Sequence, residues 1–253
     1  MRWLPVLAFA SAVWAGSPYP LVEDPSPGVV KTAVEALTEA FKGKDTAAQI
    51  AVIRSQGGIN SPDVVHALAK GLRSRDEGVK IETIAALGWN QSPEALKQLH
   101  RLYRREGKLL AEREDPYAAL FKAIGRHGDK SSLTVLADSP FKGLTPKVAE
   151  ARIFGIANIR EKKSIEALMK GMRLTTEESG GRRSRSVDTR SRGMRFFRPA
   201  LCVLTGLDMG ESDDEWQSWW RDVKNKFRIS EKRPASAPAD VKKYWEGYWD
   251  VSY

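Results

Sequence analysis

Two stretches a hundred residues apart are nearly the same. "VHALAKGLRS" (65–74) returns as "IEALMKGMRL" (165–174), with Ala67, Leu68, Lys70, Gly71 and Arg73 recurring as Ala167, Leu168, Lys170, Gly171 and Arg173. An offset of this length fits about three units of roughly 33 residues, the size of one helical hairpin in a repeat array. Such a hairpin cannot cover its own apolar stripe; a stack of them can. The repeat therefore restricts the chain to a linear stack more strongly than any other feature.

The intervening units show at the helix ends. "IRSQGG", "AALGWN", "KAIGRHGD", "GIANIRE" and "VLTGLDMG" each close an apolar helical pattern at Gly57, Gly88, Gly125, Asn158 and Gly206, with spacings of 31, 37, 33 and 48. Gly and Asn tolerate the left-handed conformation that ends many helices, so all five read as C-terminal caps. "SPDVV" and "SPEAL" follow the first two. They offer Ser61 and Ser92 as N-caps, with Pro62 and Pro93 in a first turn that has no use for their missing N–H groups. The unit is helix, tight turn, helix. Val65, Leu68, Ala69 and Leu72 fall at i, i+3, i+4 and i+7, as do Ile165, Leu168, Met169 and Met172. Each set predicts one buried stripe on a second helix.

The stretch "IETIAALGWNQSPEALKQLHRL" resembles a HEAT repeat of the short kind found in bilin-lyase-like HEAT proteins, with an "A-LG" helix end, a brief polar turn and "EAL--L". The resemblance covers roughly 45–174 and extends toward 228. It implies an all-α, HEAT/armadillo-like α-α superhelix, a right-handed solenoid of about five hairpins that binds other macromolecules. It does not carry a lyase activity, because nothing in the chain marks a bilin-attachment site. "SPFKGLTPK" (139–147) departs from the pattern, so the third unit is expected to be irregular.

The ends differ from the middle. "MRWLPVLAFASAVWAG" has one Arg, an apolar stretch and small residues, which is the layout of a secretory signal peptide over 1–15. It predicts an exported protein, periplasmic or secreted. Residues 16–27 are rich in proline and read as an extended linker. The solenoid is assigned to 28–228 and a linker with an aromatic tail to 229–253. No stretch reaches the 18 or so apolar residues that span a bilayer. The single cysteine, Cys202, lies in the apolar run "PALCVLTGL" and reads as a buried thiol.

Signals for chemistry are sparse. His66, His100 and His127 do not fall four apart, so no helical zinc motif exists, and no phosphate loop or Gly-x-Ser-x-Gly is present. "SPFK" matches Ser-x-x-Lys without its partner motifs. The expectation is a non-catalytic protein with no cofactor and no metal.

Charge is more informative. The chain carries a formal +9. In the repeat register Lys70, Arg101 and Lys170 share one position on successive second helices, and Arg73, Arg104 and Arg173 another; Asp138 and Phe141 interrupt both columns in the third unit. Second helices line the concave face of HEAT-like stacks. The columns therefore offer a basic ladder to an acidic protein partner; alternatively they are cations near helix C-termini that favour the dipole. The 48-residue spacing holds an Arg-rich loop over 179–195. Counted on to Arg198, this stretch has seven arginines against one acid. Arg182, Arg183, Arg185, Arg190 and Arg192 form a candidate polyanion-binding segment for acidic lipid, polysaccharide or nucleic acid, or else a solvated loop. A lyase-like or enzyme-accessory protein is a third reading.

Three tryptophans crowd one helix in "LTGLDMGESDDEWQSWWRDVKNKF". Ser212 and Glu215 form a capping box, and Trp216, Trp219 and Trp220 lie at i, i+3 and i+4. The stripe reads as a Trp-rich C-terminal cap that closes the last repeat. This ending also resembles that of exported bacterial HEAT repeat proteins. In the tail, Tyr244, Trp245, Tyr248 and Trp249 form a second aromatic patch, which either packs on the solenoid or orders on a partner.

Overall fold

The structure is a computed structural model that describes residues 17–138, 144–177 and 195–253, with the side chains of 175–177 left aside. The signal-like segment, Phe141 and the arginines from Arg182 to Arg192 lie outside the described residues. The described chain holds twelve α-helices and no strand. They are α1 (Pro27–Ala40), α2 (Thr46–Gln56), α3 (Pro62–Leu68), α4 (Glu77–Trp89), α5 (Pro93–Leu110) and α6 (Glu114–Arg126). After them come α7 (Leu133–Leu136), α8 (Pro146–Asn158), α9 (Lys162–Glu177), α10 (Phe197–Thr205), α11 (Asp213–Val223) and α12 (Ala239–Trp249).

The helices from α2 to α11 pair as five hairpins. The first helices, α2, α4, α6, α8 and α10, pack one against the next in a continuous layer. The second helices form the other layer, in which α1 packs on α3, α3 on α5, and α9 on α11. The third hairpin is irregular: its second helix shrinks to the four residues of α7. The expected stripes face the core, with Val65, Leu68, Ile165, Leu168 and Met172 fully buried.

The glycines at the helix ends do a different job from the one expected. Among the described glycines Gly128, Gly206 and Gly210 have positive φ, so Gly206 alone of the five markers is a left-handed cap. Gly57, Gly88 and Gly125 are instead contact points between first helices. A Cβ on Gly57 would sit 2.8 Å from Ala86 Cβ, on Gly88 2.8 Å from Ala123 Cα, and on Gly125 2.3 Å from Gly155 Cα. The repeat spaces small residues so that backbones touch.

Polar bonds run along the same seam. Asn90 Nδ2 donates to the Gly57 and Ile59 carbonyls at 2.8 and 2.9 Å. One unit pair further on, Asn158 Nδ2 donates to Gly125 O at 3.0 Å. Between them His127 Nε2 donates to Leu87 O at 3.0 Å. Each bond satisfies a carbonyl at the end of the preceding first helix, which has no partner within that helix. Ser92 caps α5 through Glu94 N, whereas Ser61 makes no such bond to α3. Both prolines stand in the first turn as expected.

Both ends are docked. The Pro-rich segment is extended, but it is not a free linker. Tyr19 is buried and its hydroxyl donates to Glu82 Oε1 at 2.8 Å, while Val22 forms a parallel bridge with Ile59. At the other end Trp216 is fully buried, with its indole N–H donating to Gly210 O at 3.0 Å. Ser212 accepts from Glu215 N at 3.4 Å, and Trp219 stacks edge-on to Trp216 and Phe227. The tail resolves in favour of packing. Helix α12 lies on α10, and Trp245 and Tyr248 place their rings 5.5 and 4.8 Å from that of Phe154 in α8. Arg126 lies between Trp89 at 3.6 Å and Trp249 at 5.4 Å and donates to the Trp249 carbonyl. Arg198 ties Asp208 to Asp240 across the linker. Cys202 is buried within α10, and burial pushes its thiol up to about 12.

Candidate functional site: a basic groove between second helices

The second helix of the first hairpin stops early. After Leu68 the chain tightens into a 3₁₀ turn over Gly71–Arg73. The reason is local: a Cβ at Gly71 would meet Thr83 Oγ1 at 2.2 Å, so this turn presses on α4 as only glycine allows. Helix α5, in contrast, continues to Leu110. The mismatch leaves a groove of about 300 Å³ between the α3 turn and α5.

Lys70, Arg73 and Arg101 line this groove together, joined by Arg105 and His66. Four cations face one lining carboxylate, Glu106. Glu106 is already engaged: Lys80 Nζ lies 3.0 Å from one oxygen and Arg105 Nη2 3.5 Å from the other. Lys70 donates to Thr38 Oγ1 at 3.3 Å and Arg101 to Gln98 Oε1 at 3.2 Å, both neutral acceptors. Gln98 in turn donates to Glu94 Oε1 at 2.8 Å, which fixes the amide that aims Arg101. Among the described residues Lys70, Arg73 and Arg101 have no carboxylate partner, and all three are exposed. Exposed cations on both sides of one groove, two of them bonded to neutral groups, suit an anionic group.

The dipole account of the columns does not cover this arrangement. Arg101 sits in the middle of α5, well away from its C-terminal turn, where helix-end charge has faded. The structure also redistributes the columns. Arg104 does not line the groove; its charge, after burial, holds the His100 imidazole below its ordinary range. Arg105, one residue on, lines the groove in its place. Lys170 and Arg173 are exposed on α9, and the shortened third hairpin intervenes between them and the groove. Of six column residues three therefore meet in one place. Arg105 and Gln98 could have been found by walking one helical turn from Arg101, had the shorter α3 been known.

One pair has a catalytic look. His100 Nε2 lies 3.0 Å from Ser132 Oγ, a residue 32 positions away that no local pattern joins to it. Ser132 is fully buried, so no substrate reaches its hydroxyl. The bond is a polar contact between α5 and the third hairpin. Among the described residues no group of three His, Cys, Asp or Glu side chains gathers to hold a metal ion, and no helix is long and apolar enough to cross a membrane.

Comparison with known proteins agrees with the helical repeat. Residues 34–114, from the second half of α1 through α5, match the family model of HEAT repeats. The groove lies within that match. No curated protein matches the chain.

Proposed function

From HEAT repeats and a groove built between their second helices, we propose that the protein is a non-catalytic scaffold. It holds an acidic segment of a protein partner against Lys70, Arg73, Arg101 and Arg105. HEAT repeats in general serve as protein-interaction scaffolds. The carrying observation is that three exposed cations of this groove have no carboxylate among the described residues, while its one acid is already paired. Long-range attraction by such a patch speeds encounter and depends on salt.

The test is fluorescence anisotropy with a labelled deca-glutamate peptide at low salt. Replacing Lys70, Arg73 and Arg101 together by Glu should weaken binding at least about tenfold, since each exposed pair contributes about 0.2–1 kcal/mol and reversal adds repulsion. Replacing Lys232, exposed and remote in sequence, should not. Equal loss in both proteins would point to net charge alone and contradict the groove.

A second reading rests on the Arg-rich segment with Arg182, Arg183, Arg185, Arg190 and Arg192, whose charge density suits a polyanion. The signal-like 1–15 supports export, and with it an envelope setting for either partner. Serine at these five arginines should lower retention on heparin or on anionic vesicles while deca-glutamate binding at the groove persists. Unaltered retention removes this second reading.

A further inference from the structure

We infer that the acidic segment is recognised in two parts: an apolar side chain seats between α1 and α3, and a carboxylate about three residues away seats in the groove between α3 and α5. This rests on the reading of that groove as the seat of an acidic partner, and it adds the partner's second determinant.

A second cleft, of about 740 Å³, opens on the other side of α3. Its chemistry differs from the groove's. Lys31 and Lys70 are offset by Glu35 and Asp63, so the charged rim is balanced. Its apolar lining is Pro25, Pro27, Val30, Val34 and Ala67. Val30 and Val34 are only half-buried, although both pack against the core, and Val29 beside them is 39% exposed. A balanced rim around valines selects for an apolar group, where the neighbouring groove selects for charge.

The two clefts are continuous through α3, because His66 and Lys70 line both. Packed helices stand about 8–10 Å apart, so the clefts on either side of one helix are about 10 Å apart. An extended chain advances about 3.3 Å per residue, which makes that distance about three residues. Lys70, reaching Thr38 of α1 from the start of the α3 turn, stands at the crossing point. A segment laid across α3 thus places one apolar side chain and one acid at this interval, and its charge matches Lys70 and Arg101, which are bonded to neutral acceptors alone among the described residues.

The experiment uses the full chain and labelled twelve-residue Gly/Ser peptides that carry one Leu and a Glu-Glu pair. The Leu stands three residues before the pair in one peptide and three residues after it in another. The better of the two should bind about tenfold or more tighter than its Leu→Ser counterpart. That advantage should disappear in a Val30→Ser/Val34→Ser protein, while an Arg101→Glu protein should lose the Glu-dependent part and keep the Leu-dependent part. Thermal melts of both variants, expected near that of the parent chain, show that they fold. If Leu→Ser changes nothing while deca-glutamate still binds at the groove, the two-part inference is overturned and the acidic-partner reading stands. If no acidic peptide binds the groove, both fail.

Discussion

Gly125 of α6 lies against Gly155 of α8 so closely that a Cβ on Gly125 would stand 2.3 Å from the Gly155 Cα. The first-helix layer is tightest at this point, and the same Cβ would meet the Trp249 ring of the tail at 3.3 Å. Here the obstacle is backbone, which cannot swing aside as a side chain can. Gly125→Ala should destabilise by about 1–3 kcal/mol, the range for overpacking a filled core. Urea unfolding of the two proteins checks it. A neutral Gly125→Ala would mean that the two helices are not in backbone contact.

The tail helix should behave as part of the fold. Trp245 and Trp249 are almost fully buried, and Arg126 stacks between Trp89 and Trp249. Trp→Ala in a core costs about 3–5 kcal/mol. Deleting 234–253 should therefore lower the melting temperature by about 10 °C or more. The indole N–H groups of Trp245 and Trp249 and the Tyr248 hydroxyl lack partners, which offsets part of the gain from burial. An unchanged melting temperature would show a tail that does not hold the stack.

The three tryptophans of α11 are not equivalent. Trp216 is fully buried and hydrogen-bonded to Gly210 O, whereas Trp219 stays partly exposed. Trp216→Ala should destabilise by about 3 kcal/mol or more, and Trp219→Ala by clearly less. Thermal melts rank them, and the reverse order would refute the role of Trp216 as the closing core residue.

Stability should fall in mild acid because of His127. Burial, working against its bond to the Leu87 carbonyl, lowers the imidazole to about 4 from an ordinary 6.5. The unfolded chain binds a proton near pH 6.5 and the folded chain only near 4, so the unfolded state is favoured as pH drops between these values. The stability tied to the neutral ring is full above about 6.5 and falls by about 3 kcal/mol by pH 4. His100 is shifted in the same direction by burial and Arg104 and adds to the slope. Urea midpoints for His127→Gln should flatten over this window. A slope as steep as the parent's would assign it elsewhere.

The repeat register made the fold legible, because burial stripes and first-turn prolines are local facts. Val65, Leu68, Ile165 and Met172 could be assigned to the core from spacing alone. Gly206 is the left-handed cap its position suggests, whereas Gly57, Gly88 and Gly125 stand at helix ends for close packing instead. A helix-end Gly is compatible with a left-handed cap and with close approach of a neighbour, and only the neighbour distinguishes them. Ser61 offered a cap by its position and makes none. The docking of Tyr19 on Glu82 and of Trp249 over Arg126 joins residues 63 and 123 positions apart, which no local pattern encodes. The site was half legible: Lys70 and Arg101 share an offset from Pro62 and Pro93, but α3 ends early and Arg105 rather than Arg104 lines the groove with Arg73.

The most direct test of the account is a charge exchange at the groove, read by anisotropy with a deca-glutamate peptide and a deca-lysine peptide. The parent chain should bind the glutamate peptide and not the lysine peptide. Replacing Lys70, Arg73 and Arg101 by Glu should invert that preference, while the same number of reversals at Lys224, Lys226 and Arg228, exposed at the far end of the chain, should leave it in place. An identical response in the two triple variants would contradict the groove as the binding site.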